Sequence, residues 1–400
     1  MRRALLTVAA TAVLVAGSGV AAVAQTDSSA ADIIKALPAD LAGLYDNYSG
    51  TVTTSALPTL KNPTGPWKMC YSESYQGNPW RIALTNEMKR LAEEFKAAGK
   101  LSSFEMSDAN GDVPTQITQI QQFIDSGCDI IVTVAGSSTG LDEVIGKAAA
   151  AGIPVITNSG AVTAPSAINV DSNWYRWGYD MMDAIGQELG GKGNVLVVEG
   201  IAGSPIVAMQ ADGRNAALAK YPDLKVVATV NGDWTPTTTK NVVLQTLATN
   251  PAEIDAVWTS GSESRLVEEA FAESGRAPAL VTGSISGDGI GYWKANPDKY
   301  KFTGNAVLPV PTANSAFRIA MRTLEGQGPT LNTLLVALPK VTMADIPNWA
   351  KDCMTPDSAT VFPVAPSDPY PEDQLNAYFT NGAATPPYDY ATTPDPCTAG

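Results

Sequence analysis

Two patterns of apolar residues, one typical of buried strands and one typical of amphipathic helices, alternate along residues 67–283. Short apolar runs rich in β-branched residues, of which residues 129–134 are the clearest, are typical of strands buried on both faces of a parallel sheet. Between these runs, as in residues 79–98, apolar residues recur at the spacing of an amphipathic helix. Strands that alternate with helices in this way predict parallel strands joined by right-handed crossovers.

The alternation of strands and helices occurs in two successive parts of the chain, and the second part begins at a helix predicted for residues 174–189. The predicted strands are residues 67–71, 102–106, 129–134, 153–157, 194–199, 225–230, 256–259 and 279–283. The predicted helices are residues 79–98, 113–126, 141–151, 174–189, 207–221, 237–249 and 264–274. The pattern therefore predicts the α/β fold class, with two αβα domains that each contain a parallel sheet.

The first 24 residues have the composition of an export signal. Arg2 and Arg3 precede an apolar run, and the small residues of Ala22-Val23-Ala24 precede Gln25. This order predicts a secretory signal peptide over residues 1–24, and a membrane anchor is the alternative. We therefore expect an exported protein, located in the periplasm or cell-envelope space.

Two further segments lack the regular alternation. Residues 25–64 are polar with scattered Leu and Tyr, and we expect them to form a loosely packed N-terminal extension. Residues 346–400 are rich in proline, and we expect an irregular C-terminal extension that packs where its aromatic residues are buried. The aromatic residues in question are Trp349, Phe362, Tyr370, Tyr378 and Phe379.

Charge and composition exclude several functions. The 400 residues include 26 Lys plus Arg and 40 Asp plus Glu, which gives a formal net charge of −14. An acidic chain does not suit nucleic-acid binding or docking on an anionic membrane, because both need a basic surface. The sequence contains no histidine, which excludes Ser-His-Asp and Cys-His catalytic sites and histidine-liganded zinc.

The four cysteines of an exported chain can form disulfides. Pairing Cys353 with Cys397 would close the C-terminal extension, and pairing Cys70 with Cys128 would tie the first predicted strand to the third. Four cysteines allow three pairings, and buried free thiols are the alternative. Because no CxxC motif occurs, we expect no metal site.

The loops that follow the predicted strands are rich in Asn, Asp, Ser and Trp. In open parallel sheets, ligands bind beyond the carboxyl ends of the strands. Trp80 and Trp234 stand in corresponding loops of the two halves, where an indole face suits the C–H side of a sugar ring. Paired carboxylates and amides suit vicinal hydroxyls. The alternative is that these polar residues only form turns and helix caps.

Four stretches carry a family resemblance over residues 67–337. These are Gly77-Asn78-Pro79-Trp80, Asp108-Ala109-Asn110-Gly111-Asp112, Ala151-Gly152-Ile153-Pro154-Val155-Ile156, and Gly200-Ile201-Ala202-Gly203 with Asp212-Gly213. Their order and spacing resemble the periplasmic sugar-binding proteins of ABC importers, the ribose-binding-like group of type I periplasmic binding proteins. The resemblance implies two domains joined by a three-crossing hinge, with the ligand in the cleft between them.

The resemblance also implies the domain boundaries. The first domain would comprise residues 65–170 plus 308–333, and the second would comprise residues 171–306 plus 334–345. The crossings would lie near residues 170–172, 304–308 and 333–337.

The resemblance implies a set of ligand-binding residues. Asn78 would bind a hydroxyl, and Trp80 and Trp234 would stack on the ring. Asn158 and Ser159 stand where the family carries Asp-Arg, while Ala208, Gly261 and Val307 replace further polar residues of ribose binders, which argues against ribose itself. The candidate site residues are Asn78, Trp80, Arg81, Asp108, Asn158, Ser159, Asp171, Trp234, Glu263, Ser286, Asp288 and Asn305.

We expect a monomeric binding protein that captures a sugar or related polyhydroxylated ligand and delivers it to an ABC permease. It would use no cofactor, no metal and no catalytic residue. One alternative is a sensor that presents its ligand to a membrane receptor. Another is a secreted glycosidase whose carboxylates come from Asp108, Glu263 and Asp288.

Overall fold

The computed structural model describes residues 28–381 and 390–398, so the predicted signal peptide lies outside the described residues. The strands are β1 (Trp67–Glu73), β2 (Leu101–Asp108), β3 (Ile130–Val134), β4 (Val155–Asn158), β5 (Ala167–Asp171), β6 (Lys192–Glu199), β7 (Asp223–Asn231), β8 (Ala256–Thr259), β9 (Leu280–Ser284), β10 (Phe302–Asn305), β11 (Thr333–Leu335) and β12 (Lys340–Thr342). The helices are α1 (Ser28–Ala36), α2 (Ala39–Ala42), α3 (Pro79–Ala97), α4 (Val113–Asp125), α5 (Asp142–Ala150), α6 (Trp174–Glu188), α7 (Pro205–Leu218), α8 (Pro236–Thr249), α9 (Ser264–Ser274), α10 (Gly287–Ala295), α11 (Pro309–Leu324), α12 (Ile346–Trp349) and α13 (Glu372–Ala377).

The strands form two six-stranded sheets. The first has the order β11-β5-β4-β3-β1-β2 and the second the order β12-β10-β9-β8-β6-β7. All neighbouring strands are parallel except β12, which runs antiparallel to β10. We call the two halves built on these sheets the first and the second domain. The predicted α/β fold with two αβα domains is confirmed.

The chain passes between the sheets three times. It leaves the first sheet after Asp171, returns between β10 and α11, and leaves again between Leu335 and Lys340. Helix α11 packs on α3 and β4 of the first domain. The sheets thus divide after Leu335, slightly beyond the 333/334 boundary that we expected, because β11 pairs with β5 in the first sheet.

The N-terminal extension is packed, so the expectation of a loose segment was wrong. Leu41, Tyr48 and Val52 are buried in the same hydrophobic core as Tyr71 and Phe317 of the first domain. Apolar side chains in an otherwise polar stretch supply this contact, and burying them stabilises the docked segment. The extension therefore belongs to the first domain.

The C-terminal extension packs on both domains. Its first part buries Trp349 and Met354 against the second domain, and its later part buries Tyr370 and Tyr378 in the core of the first. All five aromatic residues expected to be buried there are buried. Two guanidinium groups of α11 hold the later part through ion pairs and hydrogen bonds to Asp368, Tyr370, Glu372 and Asn376.

Both expected disulfides are present. Cys70 is bonded to Cys128, which ties β1 to the segment entering β3, and Cys353 is bonded to Cys397, which closes the C-terminal extension. Within the described residues, no helix combines the length and the hydropathy that a membrane crossing requires.

Helices α6 and α7 approach each other through glycines. A Cβ atom at Gly178 of α6 would overlap the carbonyl oxygen of Gln210 in α7, and one at Gly213 of α7 would overlap that of Tyr175 in α6. The close approach packs the beginning of α6 against the middle of α7, and both helices contribute residues to the wall of the cleft described below.

Replacing Gly213 with alanine tests this packing. The added methyl group must push the helices apart, so we expect Gly213→Ala to lower the free energy of unfolding by roughly 1–3 kcal/mol. The control is Gly146→Ala in α5, where no atom lies within 4 Å of an added Cβ. Alanine there should stabilise the helix by about 0.5–1 kcal/mol. Thermal unfolding of both variants gives the comparison, and an unchanged midpoint for Gly213→Ala would contradict the packing.

Candidate ligand-binding site

A cavity lies between the two domains, with an empty volume of about 830 Å³ that includes its open mouth. The first domain contributes residues from the start of α3, the second domain contributes most of the wall, and the C-terminal extension contributes two residues. The lining residues used below are Asn78, Trp80, Arg81, Trp174, Trp177, Gln210, Trp234, Ser260, Glu263, Ser286, Asp288, Val307, Ala359 and Phe362.

Trp80 and Trp234 line the cavity from opposite domains, and both indole N–H groups are fixed by the protein. Trp80 donates to the carbonyl oxygen of Val307 at 2.9 Å, and Trp234 donates to the hydroxyl of Ser260 at 3.0 Å. These bonds use the edges of the rings and hold the rings in place. Both residues therefore provide fixed aromatic walls.

The backbone around Trp234 is unusual. Asp233 and Trp234 have φ angles of 55° and 49°, in the left-handed region that disfavours residues with a Cβ. The indole lies so close to Gly200 and Gly261 that a Cβ at either position would overlap it. Glycine at positions 200 and 261 therefore leaves the space that the indole occupies.

Asn78 and Arg81 also line the cavity, and each has a partner in the first domain. The Asn78 amide oxygen caps α3 by accepting from the Arg81 backbone N–H at 2.8 Å. The Arg81 guanidinium pairs with the buried Glu73 carboxylate at 2.7 Å, and the Tyr71 hydroxyl donates to the same carboxylate at 2.5 Å. Burial raises the pKa of Glu73, and the Arg81 charge opposes that rise.

Three predicted polar residues of the second domain lie in the same cavity. The Ser286 hydroxyl caps α10 by accepting from the Gly289 N–H at 3.2 Å, and Asp288 accepts from the Arg265 Nε at 2.8 Å. Burial raises the pKa of Glu263 from 4.5 to about 7, the backbone N–H groups of this turn oppose the rise, and the nearby Asp288 charge adds to it. Near neutral pH, Glu263 can therefore both accept and donate a hydrogen bond.

Five predicted site residues do not line this cavity. Asn158, Ser159 and Asp171 line a second, smaller cavity at the hinge, with an empty volume of about 450 Å³. Asp108 is exposed at the end of β2, and the Asn305 amide donates to the Leu338 carbonyl oxygen at 2.9 Å, joining two crossings. Strand-end position thus brings seven of the twelve residues together. Four of the others lie at the hinge, and Asp108 lies exposed on the edge strand β2.

Asp171 is surrounded by donors from three segments. Its carboxylate accepts from the Tyr48 hydroxyl at 3.0 Å, the Trp174 indole at 2.7 Å and the Gly160 N–H at 3.1 Å. Burial raises the pKa of Asp171, and these hydrogen bonds, together with that of the Ser172 backbone, oppose the rise. In this structure Asp171 joins the N-terminal extension, the first domain and the start of α6.

Sequence reasoning missed the other aromatic walls. Trp174 and Trp177 lie in the first turn of α6, and Trp177 packs edge-on against Trp258 with its indole N–H buried and unpartnered. The clustering of two tryptophans directly after the first crossing was the available signal. Phe362 of the C-terminal extension was expected to be buried, but no signal placed it at the cavity, because a proline-rich segment has no periodicity that predicts its position.

The described residues contain one group with metal-ligand atoms close together, formed by Cys70, Glu105 and Cys128. The two sulfur atoms are bonded to each other, so neither is a thiolate ligand. The cavity between the domains offers carboxylates, amides and indoles, which suit an organic ligand with hydroxyl groups and an apolar face.

The sequence matches one family model and is similar to proteins of known ligand. Residues 71–328 match the family model described as periplasmic binding protein domain. A xylitol-binding protein from Mycolicibacterium smegmatis is 30% identical over 179 residues, which cover 44% of this chain and 51% of that protein. A galactofuranose-binding protein from Escherichia coli is 25% identical over 59% of this chain and 73% of that protein. The match thus spans about half the length of the first relative.

A solved structure shows the same fold over most of its length. The ABC transporter solute binding protein from Thermobispora bispora superposes with a TM-score of 0.67 and 27% identity. The superposition covers 73% of this chain and 89% of that one.

The elevated pKa of Glu263 gives a prediction for the ligand-free protein. The folded state holds a proton on Glu263 up to about pH 7, whereas the unfolded state releases it near pH 4.5, so ionisation of Glu263 should lower the free energy of unfolding as pH rises through this window. Glu263→Gln removes this loss. We therefore expect the difference in melting temperature between Glu263→Gln and the native protein (variant minus native) to be larger at pH 8 than at pH 5.

The matched control is Glu143→Gln. Glu143 is exposed and pairs with Lys147, which lowers its pKa, so its ionisation does not change in this window. Its melting temperature should differ from that of the native protein by the same amount at pH 5 and pH 8. A pH-independent difference for Glu263→Gln as well would contradict the elevated pKa.

Proposed function

The chain belongs to the periplasmic binding protein family, and from this membership we propose that it captures a sugar or related polyol in the cleft between its domains. The observation that carries the proposal is the pair of fixed indoles, Trp80 and Trp234, facing one cavity from opposite domains. Aromatic rings bind the apolar C–H face of a sugar or polyol, and two of them on opposite walls can hold it from both sides.

The polar groups of the cavity support the same ligand class. Glu263, Ser286 and Asp288 offer oxygen atoms to hydroxyl groups, and the unpartnered Trp177 N–H offers a donor. A fully paired ligand is favoured over one that leaves buried groups unpaired, because each unpaired group costs about 1–3 kcal/mol. The curated relatives bind xylitol and galactofuranose, which are compact polyhydroxylated molecules.

We propose that the protein acts after export as the soluble component of an ABC importer. Ligand contacts from both domains favour the closed form, so closure about the hinge reports occupancy to a membrane permease. The relatives named above are binding proteins, and we propose binding without catalysis, with ATP hydrolysis in a separate subunit. Recovery of the ligand unchanged after incubation distinguishes this function from that of a glycosidase.

Replacing Trp234 with alanine tests the stacking contact. We expect Trp234→Ala to weaken binding of the preferred polyol by about 1–3 kcal/mol, which corresponds to roughly a 5- to 150-fold increase in Kd. A panel of pentitols, hexitols and monosaccharides is screened by thermal shift, and hits are titrated by calorimetry. The control is Trp293→Ala, since Trp293 packs in the second-domain core outside the cavity.

Two results would contradict the proposal in different ways. If no member of the panel raises the melting temperature of the native protein, the polyol function fails, because any ligand of the folded state stabilises it. If a polyol binds equally well to Trp234→Ala and to the native protein, the function stands and Trp234 has a structural role only.

The pH dependence of binding tests the role of Glu263. A ligand hydroxyl that donates to the ionised Glu263 carboxylate favours the form of Glu263 that has released its proton. Polyol affinity should therefore rise between pH 6 and pH 8, by up to about tenfold per pH unit below the pKa of Glu263. Glu263→Gln should bind with a flatter profile. Calorimetry in buffers of different ionisation enthalpy measures the proton release, and affinity that falls with pH would contradict this contact.

A further inference from the structure

The C-terminal extension contributes a wall of the ligand cavity. Ala359 and Phe362 line the cavity beside Ser286 and Asp288 of the second domain, and only 6% of Phe362 is exposed. Helices α3, α6, α7 and α9 and the loops beside them supply the other sides. The cavity is therefore bounded on one side by a segment that lies outside both sheets.

This segment is seated on α10 through two glycines one helical turn apart. The Gly287 N–H donates to the Val361 carbonyl oxygen at 2.9 Å. A Cβ at Gly287 would overlap that oxygen, and a Cβ at Gly291 would overlap the backbone of Thr355. Because any side chain at these positions would push the segment away, the close backbone contact sets how far Phe362 reaches into the cavity.

Bonds on both sides of Phe362 fix the segment. Before it, the Ser358 N–H donates to the Thr355 carbonyl oxygen at 3.0 Å, and the Val361 N–H donates to the Ser358 carbonyl oxygen at 3.1 Å. After it, the Tyr390 hydroxyl donates to the Ala365 carbonyl oxygen at 2.9 Å. The wall is thus held as a turn of defined shape.

The Cys353–Cys397 disulfide adds a covalent closure around the same segment. Phe362 lies inside the loop that it closes, and the chain beyond Phe362 is anchored on α11 by Arg318. Because the segment is fixed at both ends, the Phe362 ring can leave its position only if the hydrogen bonds and ion pairs that hold the segment are broken. The wall therefore acts as a rigid boundary for a ligand.

We propose that Phe362 limits the size of the ligand, so that a compact polyol or monosaccharide fits and its glycosides and disaccharides are excluded. The inference rests on the proposed function and goes beyond it, since it assigns selection by size to a segment outside the two domains. A ligand extended by a second ring on this side would occupy the space that Phe362 fills, and the fixed segment prevents the ring from moving aside.

The test compares two ligand sets on purified, oxidised protein by calorimetry. The compact set contains pentitols and aldohexoses, and the extended set contains methyl glycosides, phenyl glycosides and disaccharides. For Phe362→Ala we expect the ratio of extended to compact affinity to rise at least tenfold over the native protein. Val364→Ala is the matched control, because Val364 lies in the same segment and does not line the cavity.

A second variant changes the wall without changing Phe362. Gly291→Ala pushes the Thr355 backbone away from α10, so the same change in preference is expected if the position of the wall sets ligand size. Melting temperatures without ligand show that each variant is folded. Agreement between two variants with different local effects separates selection by size from loss of an aromatic contact.

The outcomes distinguish this inference from the proposed function. If the native protein binds compact polyols and Phe362→Ala changes all ligands by the same factor, the size limit is overturned and the function stands. If the native protein binds disaccharides as tightly as monosaccharides, the size limit is likewise overturned. If the native protein binds neither set, the proposed function fails and the size limit fails with it.

Discussion

The arrangement of the two domains depends on one buried carboxylate. Asp171 ends β5 at the first crossing and accepts hydrogen bonds from Tyr48, Gly160 and Trp174, which belong to three separate segments. A buried charge without such donors would cost several kcal/mol, so the three segments are held where they satisfy it. Two residues on, the Asn173 amide donates to two carbonyl oxygens of the N-terminal extension and its oxygen caps α6. The extension thereby fixes the direction in which α6 leaves the hinge, and with it the aromatic wall of the cleft.

The other crossings are tied to each other and to the first domain in a similar way. The Ala306 N–H donates to the Pro339 carbonyl oxygen at 2.8 Å, which joins the second crossing to the third. The next residue, Val307, accepts from the Trp80 indole. One cavity-lining tryptophan is therefore attached to the hinge, whereas Trp234 is attached to the second domain through Ser260. The closure proposed above would therefore change the separation of two indole rings that are each held by a hydrogen bond to the protein.

The alternating strands and helices were predictable from the sequence because the apolar residues that mark each element are the ones buried in the structure. The strand Ala256–Thr259 and the helix Ser264–Ser274 have the predicted bounds. Helix α11 was missed because its polar residues are buried as well as its apolar ones: Arg318 and Arg322 lie on one face, and their guanidinium groups find their partners about 50 residues later in the chain. For the site, the strand-end rule located Trp80 and Trp234 near one cavity. It could not separate that cavity from the one at the hinge, and it could not place Phe362, whose position follows from two glycines on a distant helix.

The strained turn at Trp234 links these long-range contacts to binding. Two consecutive residues with a Cβ in the left-handed region cost of order 1–3 kcal/mol each, and such strain persists only where the surroundings over-determine it. Here the indole is confined between Gly200 and Gly261 and bonded to Ser260, so the ring adopts its position before any ligand arrives. The conformational entropy of the ring is lost when the protein folds, so binding a ligand does not require a further loss to order it. A cleft whose aromatic walls are ordered in advance on both domains needs only the hinge to move, which is the motion that a binding protein uses to signal that it is occupied.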